Sequence, residues 1–277
     1  MAENARVTVV CALAAEARCL IEHWRLPVLR ERPFALYGDV DTRVVISGVG
    51  SHAAAAAVGF AAGVREARDD DVWLNFGIAG HGHLALGTPL LAARVSHHGR
   101  DGAWYPSLLF TPPCAVAELI THASVVTDYD QRACCDMEAA GFLDAVMRIA
   151  GGDLVQVLKV VSDNAASGIT GIDRTRIQRL MHAALPVVLA LIASLRELAA
   201  HLPQALDESP LAPFLTSWHF THAQTAQLRQ LWARLTVLEP TVALAQNSYA
   251  DCRDAAAVLA RLRARVDGLP LPQALTC

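Results

Sequence analysis

Thr42-Arg-Val-Val-Ile46, Ser47-Gly-Val-Gly-Ser51 and Ala53 to Ala62 follow one another as strand, glycine turn and helix. Val44, Val45 and Ile46 are β-branched and favour a pleated backbone, while the alanine run forms a helix slim enough to pack tightly. Upstream, Val7-Thr-Val-Val-Cys11 leads into a helix over Ala12 to His23. Downstream, Val72-Trp-Leu-Asn-Phe76 ends in the turn Gly77-Ile78-Ala79-Gly80. Continuous apolar strands, each followed by a turn and often a helix, predict a mostly parallel sheet with helices on both faces. Ligands of such sheets sit at the carboxyl ends of the strands.

The pattern continues with a short strand over Leu90 to Val95, opened by Pro89, and a clearer one over Leu154 to Val161 that ends in Ser162-Asp163-Asn164. Ile172 to Ala200 reads as one or two helices with Pro186 at a start or kink. Pro203 to Pro213 has the composition of a linker, and Thr221 to Leu235 and Ala255 to Val266 carry helical apolar stripes. The expected fold is α/β: three α/β/α layers about a mostly parallel mixed sheet over residues 1–202, with a small helical extension over 203–277. Phe214, Trp218, Phe220 and Trp232 are expected to cover an edge of the domain or form a partner surface.

A chain of 277 residues accommodates one α/β domain of ordinary size plus an appendage. The net charge of −4, without a Lys/Arg-rich run, gives no field to gather phosphate backbones, so nucleic acid is not an expected partner. The apolar stretch after Met1 to Arg6 stops at Glu16 and Arg18, too short for a signal sequence. The run Ala183 to Leu195, broken by Pro186 and Ser194, falls short of a spanning helix, so a cytoplasmic location without a membrane partner is expected. Seven cysteines without metal-ligand spacing suggest reduced thiols. His81, His83, His97 and His98 lack accompanying carboxylate spacing, so no metal and no cofactor is expected.

Each candidate segment has two readings by itself. Ser47-Gly48-Val49-Gly50 and Gly77 to Gly80 either turn the chain or line an anion or water site with backbone N–H groups, and neither has the dinucleotide spacing. In Asp136-Met-Glu-Ala-Ala-Gly141, Asp136 reads as the cap of a helix beginning near Met137, and Glu138 falls in its first turn. Asp163 closes a very apolar strand, placed either for chemistry or, with Ser162, for capping a helix. Glu16 is either functional or an exposed helix glutamate.

Taken in order, Ala12 to Glu16 after the first strand, Ser47-Gly-Val-Gly, Asn75-Phe-Gly-Ile-Ala-Gly, Asp136-Met-Glu-Ala and Val161-Ser-Asp resemble the nucleoside phosphorylase superfamily, and within it the methylthioadenosine/S-adenosylhomocysteine nucleosidases. The resemblance covers about Val7 to Ala200. It implies cleavage of the N-glycosidic bond of a purine-type, adenosine-like nucleoside, with or without a modified 5′ group. Asp163 would protonate N7 of the leaving base, which calls for a carboxyl kept protonated by burial. Glu138 and Met137 would hold the ribose, and Glu16 would orient the attacking water. Ser47, Gly48, Gly77, Ile78, Ala79 and Gly80 would form the nucleophile pocket. The base would meet Ser162 and Asp163. By themselves, Trp104, Tyr105 and Tyr129 either offer aromatic faces to a base or pack within surface loops.

Similar phosphorylases carry Arg where this chain has Asn75 and hydroxyl residues at Ile78 and Ala79, so water is favoured over inorganic phosphate as nucleophile. The nucleosidases also have Asn here, but their usual Ser is replaced by Ile78. The segment between Thr127-Asp-Tyr-Asp130 and Met137 is shorter than theirs, which leaves the base open. A phosphorylase, and a binding protein that has lost catalysis, stand as alternatives. Family members commonly oligomerise, so at least a homodimer is expected.

Overall fold

A computed structural model describes residues 5–68, 70–129, 132–202, 207–239, 241–242 and 244–269. They fall into two compact units that divide between Leu202 and Pro203. The part of the linker reading on 203–206 lies outside the described residues.

The first unit is built on β1 (Val7–Cys11), β2 (Val28–Arg30), β3 (Ala35–Gly38), β4 (Thr42–Ile46), β5 (Val72–His81), β6 (Pro89–His97), β7 (Ala103–Trp104), β8 (Ala115–Thr121), β9 (Ala133–Asp136) and β10 (Val155–Asn164). Its helices are α1 (Ala14–Trp24), α2 (Ser51–Val64), α3 (Ala139–Val146) and α4 (Arg174–His201). The centre is parallel: β5 runs beside β1 and β10, and β1 beside β4. β3 and β2 extend the sheet antiparallel beyond β4.

The strand expected at Leu90 to Val95 is longer and antiparallel to β10. Through β6–β8, β8–β9 and β9–β5 pairings the sheet curls back on itself, so β5, β10, β6, β8 and β9 form a closed ring. The sheet expected from the sequence does not include this closure. Closure satisfies the backbone groups that an edge would expose.

Alternation along the strands builds two cores. Val9, Val44 and Leu74 share one with α1 and α4, while Val10, Val45 and Trp73 share the other with α2 and α3. α4 is a single 28-residue helix that takes Pro186 in its interior, long and apolar enough by length and composition to cross a membrane. Its stripe Ile177, Met181, Ala184, Val188, Leu191 and Leu195 is buried in the first core.

Three local expectations are corrected. Gly77 to Gly80 is no turn, since β5 continues to His81 and stays paired with β10. β10 likewise runs through Ser162 and Asp163 to Asn164, so neither caps a helix. α3 begins at Ala139, which makes Glu138 its N-cap residue rather than part of its first turn. Asp136 does accept from the backbone of Glu138 and Ala139, at 3.2 and 2.8 Å, from the end of β9.

The second unit contains α5 (Ala212–Ser217), α6 (His222–Leu238) and α7 (Ala255–Asp267). Thr221 and Gln224 close a capping box on α6, and Asp254 caps α7. Phe214 and Trp232 are buried in this unit's own core with Trp218 and Phe220 packed against it, rather than displayed as a surface.

The slim α2 permits a close approach by α3. A Cβ on Gly141 would stand 2.0 Å from the Ser51 carbonyl oxygen. Alanine is the better helix former by about 1 kcal/mol, so the sign of Gly141→Ala reports which effect wins. Urea denaturation is expected to show a loss of about 2–3 kcal/mol from overpacking, whereas a gain would mean the helices do not touch there.

Candidate active site

Segments bearing carboxylates and hydroxyls meet where β5, β9, β10 and the starts of α1 and α3 converge. A cavity of about 360 Å³, within the usual size for a small-molecule site, is lined there by Glu16, Asp136, Glu138 and Asp163 among apolar side chains such as Leu13, Ile78, Ile169 and Ile172.

Glu16 sits in the first turn of α1 and is 2% exposed, which removes its reading as a surface glutamate. Its Oε2 accepts from the Leu13 backbone N–H at 2.8 Å and its Oε1 from the Ile78 N–H at 2.9 Å. Gly77 is required beneath it, because a Cβ there would lie 2.8 Å from Glu16 Oε1. Burial raises the carboxyl to about 7, although Lys159 and the two N–H groups oppose the shift.

Glu138 Oε1 accepts from the Gly50 N–H at 2.9 Å, which ties the α2 turn to the start of α3. Burial raises its carboxyl too, against the pull of Lys159. Asp136 accepts from Thr121 Oγ1 at 2.6 Å and lies 2.8 Å from Lys159 Nζ, which is 3.9 Å from Glu138. Burial works against the Lys159 charge, but Asp136, Glu138 and Glu16 together outweigh it and hold the ammonium above its usual range.

Asp163 receives hydrogen bonds on both oxygens, from Tyr129 Oη to Oδ2 at 2.6 Å and from Ser162 Oγ to Oδ1. Met137, Ile78, Ala79, Gly80, Tyr129 and Ser162 line the same cavity. Ser47 and Gly48 do not: their backbone N–H groups bond to Cys11 and Ala12, so they fix the turn behind Val49, which does line it. Trp104 and Tyr105 also stand away from it. Trp104 pairs with β6 at Val95, and Tyr105 is 67% exposed. Asn75 donates to the Val10 carbonyl at 3.1 Å across the sheet instead of facing the cavity.

Lys159 is the residue that sequence reasoning missed. It is a lone cation in Leu154 to Val161, and a charge in the middle of an otherwise apolar buried strand requires buried partners. That signal was available. Among the described residues no group of three or more His, Cys, Asp or Glu side chains is arranged to hold a metal ion.

Removing the cation leaves Asp136 without its closest counter-charge, so Lys159→Met is expected to cost about 3–5 kcal/mol in chemical denaturation. A cost below about 1 kcal/mol would mean that the pair does not form. Glu16 makes stability depend on pH. Its folded value near 7 exceeds the ordinary value of 4.5, so the folded chain holds a proton that the unfolded chain releases. The stability from this group is present below about pH 4.5 and lost as pH rises through about 7. Melting temperatures between about pH 4.5 and 8 should therefore fall less steeply in Glu16→Gln than in the wild type; parallel slopes would contradict the assignment.

No protein-family model and no curated protein matches the chain. Solved structures do. 5′-Methylthioadenosine nucleosidase from Arabidopsis thaliana superposes with a TM-score of 0.57 at 18% identity, over 69% of this chain and 96% of that one. A mutant of the Helicobacter pylori nucleosidase with 5′-methylthioadenosine in its active site gives 0.58 at 12% identity, over 69% and 99%. The S. pneumoniae 5′-methylthioadenosine/S-adenosylhomocysteine nucleosidase with a transition-state inhibitor gives 0.57 at 18% identity, over 69% and 99%. The chain thus has the fold of the methylthioadenosine/S-adenosylhomocysteine nucleosidases, the nucleoside phosphorylase superfamily fold that its motifs resemble.

Proposed function

We propose that the chain cleaves the N-glycosidic bond of a purine-type, adenosine-like nucleoside with water, releasing base and sugar. The observation that carries this reading is the cavity itself, in which Glu16, Glu138 and Asp163 line an apolar space, Asp136 being paired with Lys159 behind it, and no Arg or Lys is among the described lining residues. Carboxylates complement the ribosyl cation that develops as C1′–N9 breaks, whereas an attacking phosphate dianion would meet like charges without a charge-assisted partner. Asp163 gives a proton to N7, Glu138 and Met137 hold the ribose, and Glu16, with a value near neutrality, orients the water and accepts its proton.

Around that site, the helix pairs sharing a core with either face of the sheet support a three-layer α/β/α order for residues 1–202, with 203–277 as a helical extension. Val49, Val125 and Ile169 are exposed apolar residues at the cavity, which favours a homo-oligomer in which a second copy covers them. The buried thiols of Cys11, Cys19 and Cys134 suit a cytoplasmic location.

Base release from adenosine, inosine, methylthioadenosine and S-adenosylhomocysteine, with and without phosphate, tests the reading. Release independent of phosphate is expected for the wild type, with a loss of about 10²–10⁴-fold in Asp163→Asn. Formation of ribose 1-phosphate only when phosphate is supplied would establish a phosphorylase. Binding without any turnover would establish a binding protein.

A further inference from the structure

The loop between β8 and β9 brings Tyr129 onto the candidate general acid. Its hydroxyl and that of Ser162 are neutral donors, one to each oxygen of Asp163. Tyr129 is 9% exposed and its ring lies against Gly80, where a Cβ would come within 2.6 Å of Cε1 and 2.7 Å of Asp163 Oδ2. The absence of a side chain at Gly80 is what lets the phenol reach the carboxylate. Burial, and then the Asp163 carboxylate, hold the phenol well above its ordinary range, so it stays a neutral donor.

We infer that Tyr129 is a positioning residue for Asp163, fixing its carboxyl group and stabilising the carboxylate that is left when the proton passes to the departing base. The inference rests on the nucleoside-cleavage reading above. In that step the Asp163 O–H bond breaks, an N7–H bond forms, and the electron pair of C1′–N9 leaves with the base. The negative charge that appears on Asp163 is met by the Tyr129 and Ser162 hydroxyls, neither of which gives up its proton. Stacking on a base requires only the aromatic ring. A hydroxyl bonded to the acid at 2.6 Å has a different use.

Tyr129→Phe keeps the ring and removes the hydroxyl. On a purine nucleoside kcat is expected to fall about ten- to a hundredfold with little change in KM, the loss of one hydrogen bond to a charged group. On 4-nitrophenyl riboside, whose leaving group departs without protonation, the variant should match the wild type. Equal losses on both substrates, or no loss on either, would overturn the inference. If the wild type cleaves neither substrate, the cleavage reading has failed, and the hydrogen bond is judged by itself in protein labelled at tyrosine ¹³Cζ. The signal that Tyr129→Phe removes must then shift in Asp163→Asn: a shift keeps Tyr129 as the residue that positions Asp163, and an unmoved signal overturns it.

Discussion

The arrangement depends on one buried ammonium. Lys159 lies in the middle of β10, 3% exposed, with Asp136 at 2.8 Å and Glu138 at 3.9 Å. Asp136, Glu138 and Glu16 in a space this apolar would repel one another and take up protons. The cation offsets that repulsion, and its own desolvation is offset by them. Glu16 feels it more weakly and settles near 7, between a committed anion and a committed acid. A group in that range can accept a proton from water near neutral pH and return it.

The closed part of the sheet supplies the geometry. β5 holds Ile78 and Gly80 beside Val160 to Asp163 of β10, with a register shift between Val161 and Asp163. A shift there turns the strand end and changes which side chains face the cavity. β9 adds Asp136 by pairing with the last residues of β5. Two glycines complete the fit through the volume they leave empty: Gly77 admits the Glu16 carboxylate, and Gly80 admits the Tyr129 ring and Asp163. The site is thus placed by strand pairing and close packing, and its charged groups are held by backbone N–H groups from three different segments.

Much of this was legible in the sequence. β1, β4, β5 and β10 announce themselves as continuous apolar runs, because a strand buried on both faces needs no alternation. Asp163 stands out because it closes such a run, whereas Glu16 and Glu138 stand out only through the order of motifs that resembles the nucleosidases. What could not be read was closure. β9 has only four residues, the apolar residues of β8 and β9 are mixed with Glu118, Thr121 and Asp136, and their pairing depends on residues far away in the chain. The glycines after Phe76 suggested a turn because glycine is most often placed for backbone freedom; here it is placed for space. The aromatic residues near Trp104 suggested a stacking face, yet only Tyr129 reaches the cavity, and its hydroxyl bonds to Asp163. Single residues selected for the absence or position of a side chain leave little trace in periodicity.

The proposed function requires these carboxylates to complement a ribosyl cation. Calorimetric titration with a purine nucleoside analogue whose sugar is a protonated iminoribitol, beside the corresponding neutral nucleoside, addresses it directly. The cationic analogue is predicted to bind at least about a hundredfold more tightly. Equal or weaker binding of the cation would contradict the account.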